Sequence, residues 1–395
     1  MKEYDVAIVG GGPIGGQVAK QIAEAEYKVA VFEEHKQIGE PLKCAGLITT
    51  RPLNLTNIPE KLVVQNKIKG ANIHSPSGHI LTIGGDKVHA VVIDRPNFDK
   101  EIIKRSVDEG VEVFLENKVI SAKKQDNYVE LKTNQNNKIR CNLLIGADGP
   151  FSKTREWFNL PKPAEFLKGI GAEITGTNLN PAFVEIFVGK NIAPGFFAWI
   201  IPTNKQGTEA RIGLCTNQDA LHPPNYYFLN LLKNKNTIPY LKNTKIVRKT
   251  GGVVPLGLIR KTTESNVMIV GDAAAQVKPT SGGGIYTGLL CANYCAKTAI
   301  EALQKKNFTN KSLKKYSKLC NEEIGKELKL GMKFRKIFKS LTDEQLDRYI
   351  IKFQDIKIIE NISKYGDIDY PSKLVKPLLK NMPSLIKFLP NIIRN

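Results

Sequence analysis

The stretch YDVAIVGGGPIGGQVAKQIAEAEYKVAVFEEH, residues 4–35, limits what this chain can fold into more than any other. A short apolar run is followed by a glycine turn, a helical pattern and a second apolar run that ends in acid. Gly10, Gly12 and Gly15 occupy the G-x-G-x-x-G positions. The first allows a tight turn, the second lets a pyrophosphate approach the backbone, and the third lets helix pack on strand. Ile14 lies inside the same turn. The helix N-terminus offers free N–H groups and a partial positive charge to the phosphates. Glu33 stands where the second strand presents a carboxylate to an adenosine ribose. A glycine pattern alone would fit a structural turn. Strand, helix, second strand and acid together predict a dinucleotide site, NAD or FAD.

Two later stretches choose between them. CNLLIGADGPFSKTR (141–155) reads as a buried strand ending in Asp148-Gly149. SNVMIVGDAAAQVKPTSGGGIYTGLLCANYCAKTAIEAL (265–303) reads as a strand ending in Gly271-Asp272, then a loop with Pro279 and three glycines, then a long helix. Here the chain resembles the FAD-containing fold typified by para-hydroxybenzoate hydroxylase. The resemblance implies that Asp272 binds the ribityl hydroxyls and that Gly283, Gly284 and Ile285 lie against the flavin ring. A helix N-terminus there suits the negative charge of a reduced flavin. In DRPNFDK (94–100), Arg95 matches an arginine that contacts the cofactor, the alternative being a surface ion pair. Val119, in ENKVISAK, matches the position whose backbone reads adenine; taken alone it is an edge-strand valine.

The fold expected is α/β: an FAD-binding Rossmann-like domain of the para-hydroxybenzoate hydroxylase type, an antiparallel-sheet substrate domain and a helical C-terminal part. The cofactor pieces are distant in sequence, so the FAD domain is discontinuous: 1–60, 94–158 and 260–302. Residues 61–93 and 159–259 form the substrate domain and 303–395 the helical end. KGANIHSPSGHILTIG (69–84) and HAVVIDR (89–95) read as strands crossing into a second layer. Alternation over 165–255 predicts a mostly antiparallel sheet over the flavin. In APGFFAWIIP (193–202), Phe197 and Trp199 fall on one face of a strand. By themselves two such aromatics more often fill a core than line a cavity.

Three stretches together, Gly39 to Gly46 within GEPLKCAGLI, Pro194 to Pro202 as P-x-x-[YF]-x-W-x-x-P, and NISKYGDIDYPSKLVKPLL (361–379), resemble the archaeal geranylgeranyl reductases. They are most similar to the digeranylgeranylglycerophospholipid reductases, which saturate the isoprenoid chains of membrane lipids. The resemblance covers nearly the whole chain. Ile201 departs from it, standing where the family commonly has Phe, an apolar-for-apolar change. The resemblance implies reduction of unactivated alkenes with FADH2, hydride from flavin N5 pairing with protonation of the other carbon. It makes Phe197 and Trp199 substrate-binding walls of a dry cavity. It places Cys44, Ala45 and Leu47 against the isoalloxazine, with Cys44 as the catalytic candidate. Against this stands the ordinary reading of cysteine as a small buried hydrophobe. A pairing of Cys44 with Cys291 or Cys295 is a further expectation. An aromatic hydroxylase using NADPH on the same fold, and a prenyl-binding carrier, are the rival readings.

The formal charge is +20, and from residue 301 onward there are 21 Lys and Arg against 11 Asp and Glu. Half the surplus therefore sits in under a quarter of the chain, which suits an acidic electron donor such as a ferredoxin or an anionic membrane surface. Deazaflavin and NADPH routes stay open; no nucleic acid is expected. EEIGKELKLGMKFRKIFKSL, with Ile324, Leu328, Met332 and Ile337 at helical spacing, and the closing run MPSLIKFLPNIIRN read as membrane-contacting or as packed segments. No apolar run reaches the ~18 residues of a membrane span. A cytoplasmic protein, peripheral on the membrane face, is expected. The six cysteines include no CxxC pair, and no metal site is expected.

Overall fold

A computed structural model describes residues 1–374. Strand Lys2–Val9 lies between two parallel neighbours, Lys138–Gly146 and Val29–Phe32, with Val6 opposite both Leu143 and Val29. The sheet continues through Glu112–Phe114 on one side and Val267–Ile269 and Thr263–Glu264 on the other. A hairpin, Val119–Lys124 and Val129–Thr133, branches from strand Lys138–Gly146. The sheet is covered on both faces, which explains why VAIV is continuously apolar. Val6 and Ile8 meet the helices Pro13–Ala23 and Ile285–Gln304, while Ala7 and Val9 meet the hairpin.

A second sheet of seven strands has the order Lys245–Leu256, Glu165–Thr175, Glu209–Thr216, Phe197–Pro202, Phe183–Val188, Gly70–His74 and Ile80–Gly84. Every neighbouring pair is antiparallel except Phe183–Val188 with Gly70–His74. The strand Ala90–Ile93 departs from expectation. Instead of crossing into this layer, it forms a separate three-stranded sheet between Leu47–Ile48 and Val64–Ile68. All four of its residues are buried. An apolar run without alternation needs cover on both faces, and here Val91 and Ile93 pack with Phe98, Ile102 and Leu289 while Ala90 and Val92 pack with Val184 and Ile201.

The C-terminal helices close the molecule. Asn310–Glu323 starts on a Thr309 cap and sends Leu313, Tyr316 and Cys320 into the core of the first sheet. Helix Gly325–Ser340 turns part of its apolar face inward. Ile324 and Leu328 join that same core, and a Cβ on Gly331 would lie 2.9 Å from the Pro279 ring. Periodicity reports amphipathicity without saying which surface the apolar stripe meets. Asp343–Phe353 begins with a Thr342–Gln345 capping box and packs Leu346 and Ile350 on Leu81 of the edge strand. The run MPSLIKFLPNIIRN lies outside the described residues. Among the described residues no helix is long and apolar enough to cross a membrane.

Candidate functional site

Two helix N-termini and one carboxylate define the site. A Cβ on Gly10 would lie 2.3 Å from the Ala147 carbonyl oxygen, and one on Gly15 would lie 2.1 Å from that of Gly10. The turn therefore excludes larger residues, and Gly10 also sits at φ +107°. Around Gly12 there is no atom within 4 Å of a Cβ position. That open face caps helix Pro13–Ala23, whose first amides have no side-chain cap. Ile14 fills the space between Gly271 and Gly288 and so ties this turn to the second helix N-terminus.

The Glu33 carboxylate accepts hydrogen bonds from the Gly11 N–H (2.7 Å) and the His35 N–H (2.9 Å), bracing the glycine turn from the end of its strand. Backbone bonds from Glu33 to Phe114 and Asn117 bring the 114–119 segment alongside. Val119, buried with Phe32, opens the hairpin at that same edge.

At the other end, Gly284 caps helix Ile285–Gln304 without any side-chain bond, leaving its first amides open. A Cβ on Gly284 would sit 2.9 Å from Asp272 Oδ1. Burial pushes the Asp272 carboxyl up to about 6, opposed by the positive charge of Arg95. Asp272 receives no side-chain hydrogen bond from the described residues. Its turn is held by Gln276, whose Oε1 accepts from the Gly271 N–H (2.8 Å) and whose amide donates to the buried Tyr316 hydroxyl (2.8 Å). An unpartnered carboxylate at one uncapped helix end, with open space over Gly12 at the other, fits a polyhydroxylated dinucleotide.

Arg95 forks onto Asp99 with two bonds of 2.8 Å. Burial works against its charge, yet the Asp99 carboxylate and the adjacent Cys44 sulfur hold the guanidinium above its ordinary pKa. The two readings of Arg95 thus meet: it is ion-paired, and it also faces the site. Cys44 is partly exposed, and its Sγ accepts from the Gly46 N–H at 3.3 Å. All six cysteines are free. Cys291 and Cys295 are wholly buried with Cys320 in the core of the first sheet, so the pairing with Cys44 does not form. They lie on the face of their helix that packs into that core.

Ala45, Leu47 and Trp199 share one partly buried apolar cluster with Val92, Val184 and Ile201. Phe197 and Trp199 meet edge to face at 6.1 Å. They also pack with Val254, Val277 and Met332. Thus the seven-stranded sheet, the 39–48 loop, the glycine loop at 275–284 and helix Gly325–Ser340 each supply apolar groups around Trp199. Gly213 makes room for Trp199, since a Cβ there would lie 2.6 Å from Cζ2.

Several residues that organise the site carried no signal in the sequence reading. Arg211, buried on strand Glu209–Thr216, donates to the carbonyls of Ala45 (3.1 Å) and Ile93 (2.9 Å) and to Gln65 (3.0 Å). Arg248 binds Glu40 at 3.1 Å. The loop carrying Cys44 is therefore pinned from the substrate-side sheet. Lys278, in the glycine loop, contacts Asp369 at 2.5 Å. Asp369 also accepts from Thr49 (2.6 Å) and Arg51 (2.8 Å). Arg51 forks onto Asp367, and despite burial this fork and Lys373 hold Asp367 well below the usual carboxylate range. The acids of GDIDY thus clasp both the glycine loop and the segment after Cys44. Both acids lie in the 361–379 stretch that carries the family resemblance, but their partners were not legible there. Arg335, buried, donates to the Gly195 carbonyl (2.7 Å) and to Glu165 (3.0 Å).

Comparison with known proteins follows the same outline. The FAD binding domain family matches residues 3–324. An uncharacterised protein of Methanocaldococcus jannaschii is 34% identical, with 96% of each chain covered. A digeranylgeranylglycerophospholipid reductase of the same organism is 30% identical over 99% of this chain and 98% of its own. A crystal structure of a geranylgeranyl bacteriochlorophyll reductase-like protein from Thermoplasma acidophilum superposes with a TM-score of 0.87 at 23% identity, covering all of both chains. At that identity it shows the fold.

Proposed function

Because this chain belongs to the FAD binding domain family and, within it, to the archaeal digeranylgeranylglycerophospholipid reductases, we propose that it is an FAD-dependent reductase saturating the C=C bonds of geranylgeranyl chains in ether-lipid biosynthesis. FAD held at this site would, once reduced, supply the hydride chemistry that saturating a C=C bond requires, the second hydrogen arriving as a proton. The residues of this chain do the holding and the shielding. Gly12 and the amides opening helix Pro13–Ala23 would bind the pyrophosphate, with Glu33 and Val119 at the adenosine. Asp272 would accept from the ribityl hydroxyls, Arg95 would contact the cofactor, and the amides at Gly283, Gly284 and Ile285 would stabilise negative charge on the reduced ring. Residues 1–60, 94–158 and 260–302 would make up this cofactor unit.

One observation carries the substrate reading. Phe197 and Trp199 present partly buried faces beside Ala45, Leu47, Val254, Val277 and Met332, next to the loop that bears Cys44. An apolar wall beside polar cofactor-holding groups suits an isoprenoid chain and keeps water from charge that develops at carbon. Cys44, small and set by Arg95 and Gly46, would lie at the reacting face. Ferredoxin-like acidic donors suit the positive charge of the chain.

The test is anaerobic reduction of the FAD-loaded protein, followed by addition of a geranylgeranyl lipid. Reoxidation of the flavin with a gain of two hydrogens per bond supports the reading. Product containing new oxygen would replace it with a hydroxylase, and protein that cannot take up FAD would replace it with a carrier.

A further inference from the structure

The outer cover of the seven-stranded sheet comes from one acid-free stretch. Residues 220–263 hold eight lysines and arginines and no aspartate or glutamate, in a chain with 38 acids. The stretch forms helix Pro224–Lys233, the short helix Ile238–Leu241 and the edge strand Lys245–Leu256. Tyr227, Phe228 and Leu231 of the first helix face inward and pack with Ile212 and Leu214 of the sheet.

The outward side of this layer is not purely polar. Tyr226, Leu229 and Lys233 follow i, i+3, i+7 spacing, opposite the buried stripe of their helix, and all three are exposed. Leu221, just before the helix, is 86% exposed, and the neighbouring His222 ring lies 4.0 Å from that of Tyr226. On the edge strand Arg248 pairs with Glu173 and Ile246 with Ile174, so Val247 forms a bulge and is 65% exposed. Lys249 reaches over the Phe228 ring at 6.0 Å, which places that part of the strand beside the helix. Arg248 and Lys261 are paired with carboxylates. Lys233, Lys235, Lys242 and Lys245 are exposed and form no ion pair among the described residues.

A solvated lysine face needs no apolar side chains at its crest. A protein partner would ask for few lysines at the centre of the contact, and the bulge at Val247 blunts the edge against an added strand. Leucine and tyrosine tips among lysines, with no acid in the stretch, match a surface that rests on a bilayer. There the lysine stems follow apolar groups while their ammonium ends meet lipid phosphates.

We propose that this face docks the protein on an anionic lipid bilayer. Leu221, Tyr226 and Leu229 enter the headgroup layer, and the four lysines meet its negative charge. The docking face goes beyond the reductase reading and stands without it. It also puts the membrane contact on the substrate-side layer rather than on helix Gly325–Ser340.

Vesicle sedimentation of the FAD-loaded full chain decides it, at about 0.15 M salt, where charges more than roughly 8 Å apart are largely screened. Vesicles of mixed phosphatidylglycerol and phosphatidylcholine should bind the parent at least tenfold more tightly than phosphatidylcholine alone. Leu221→Ser/Leu229→Ser and Lys233→Glu/Lys242→Glu should each weaken partitioning onto the anionic vesicles at least tenfold. All four residues are exposed, and retained flavin and circular dichroism verify the fold. Lys326→Glu/Lys329→Glu, the same charge change on helix Gly325–Ser340, should weaken partitioning less than threefold. Equal losses from the two lysine pairs would mean attraction by net charge alone and overturn the docking face. Partitioning indifferent to the leucine pair would overturn it too, since no side chain would then enter the lipid. So would a Lys233→Glu/Lys242→Glu protein that keeps its vesicle affinity but loses binding to an acidic ferredoxin, which would make the face a donor site.

Discussion

Replacing Asp369 by Ala removes the hub of the tail clasp. The Asp369 side chain is 1% exposed and that of Lys278 9%, with 2.5 Å between their charged atoms. The substitution strands the Lys278 ammonium in a low-dielectric site and takes the acceptor from Thr49. Breaking a buried pair on one side costs about 3–5 kcal/mol, because the surviving charge keeps its desolvation penalty. Arg51 keeps its fork on Asp367, so its own loss is small. Urea unfolding of the full chain, followed by circular dichroism, should therefore show a large fall in midpoint. Asp108→Ala, which removes an exposed pair with Lys104 at 3.8 Å, should stay within ~0.5 kcal/mol. The double variant Lys278→Met/Asp369→Ala removes both charges and should recover at least ~2 kcal/mol relative to the sum of the singles. An Asp369→Ala effect no larger than that of Asp108→Ala, or strict additivity in the double variant, would refute the clasp.

Three other outcomes can be checked. Asp272 has a carboxyl raised to about 6 by burial, so the folded apo-protein binds its proton more tightly than the unfolded chain does. This group thus lowers stability progressively as pH rises from about 4 to about 6, and Asp272→Asn should flatten that slope in unfolding measurements. Ribityl hydroxyls favour the ionised carboxylate, so FAD affinity should be roughly tenfold weaker at pH 5 than at pH 8, and the variant should lose this dependence in fluorescence titrations. Arg211→Met leaves the Ala45 and Ile93 carbonyls without their donor; flavin content should persist while turnover falls more than tenfold, and unchanged turnover would remove the pinning role. Cys44→Ala should keep bound FAD and lose much of its turnover; full activity would exclude Cys44 from the reaction.

The glycine turns were legible because close approach of other atoms leaves no room for a side chain there. Gly10 and Gly15 answer to backbone atoms a few ångströms away, and Gly284 to the carboxylate of Asp272. Such demands leave one residue type at a fixed spacing, and spacing is visible in a linear chain. The alternation of Phe197 and Trp199 was equally visible, though not which elements would face them. Val254, Val277 and Met332 come from three elements far apart in the chain. The strand Ala90–Ile93 was misplaced for a related reason: a continuous apolar run says that both faces are covered but not by what.

Arg211, Lys278 and Arg335 are three among 58 lysines and arginines, and nothing in their neighbours sets them apart. What distinguishes them is burial against carbonyls and carboxylates from remote segments, such as Asp369, 91 positions from Lys278. Cys291 and Cys295 make the same point in reverse, since helix rotation alone turns them into the core and away from Cys44. The glycine spacing along the chain is enough to specify the turn before helix Pro13–Ala23, because close backbone approach there leaves no room for a side chain. Which cation steadies a loop, and which thiol stands beside it, depends on long-range packing, where side chains distant in sequence share one low-dielectric space.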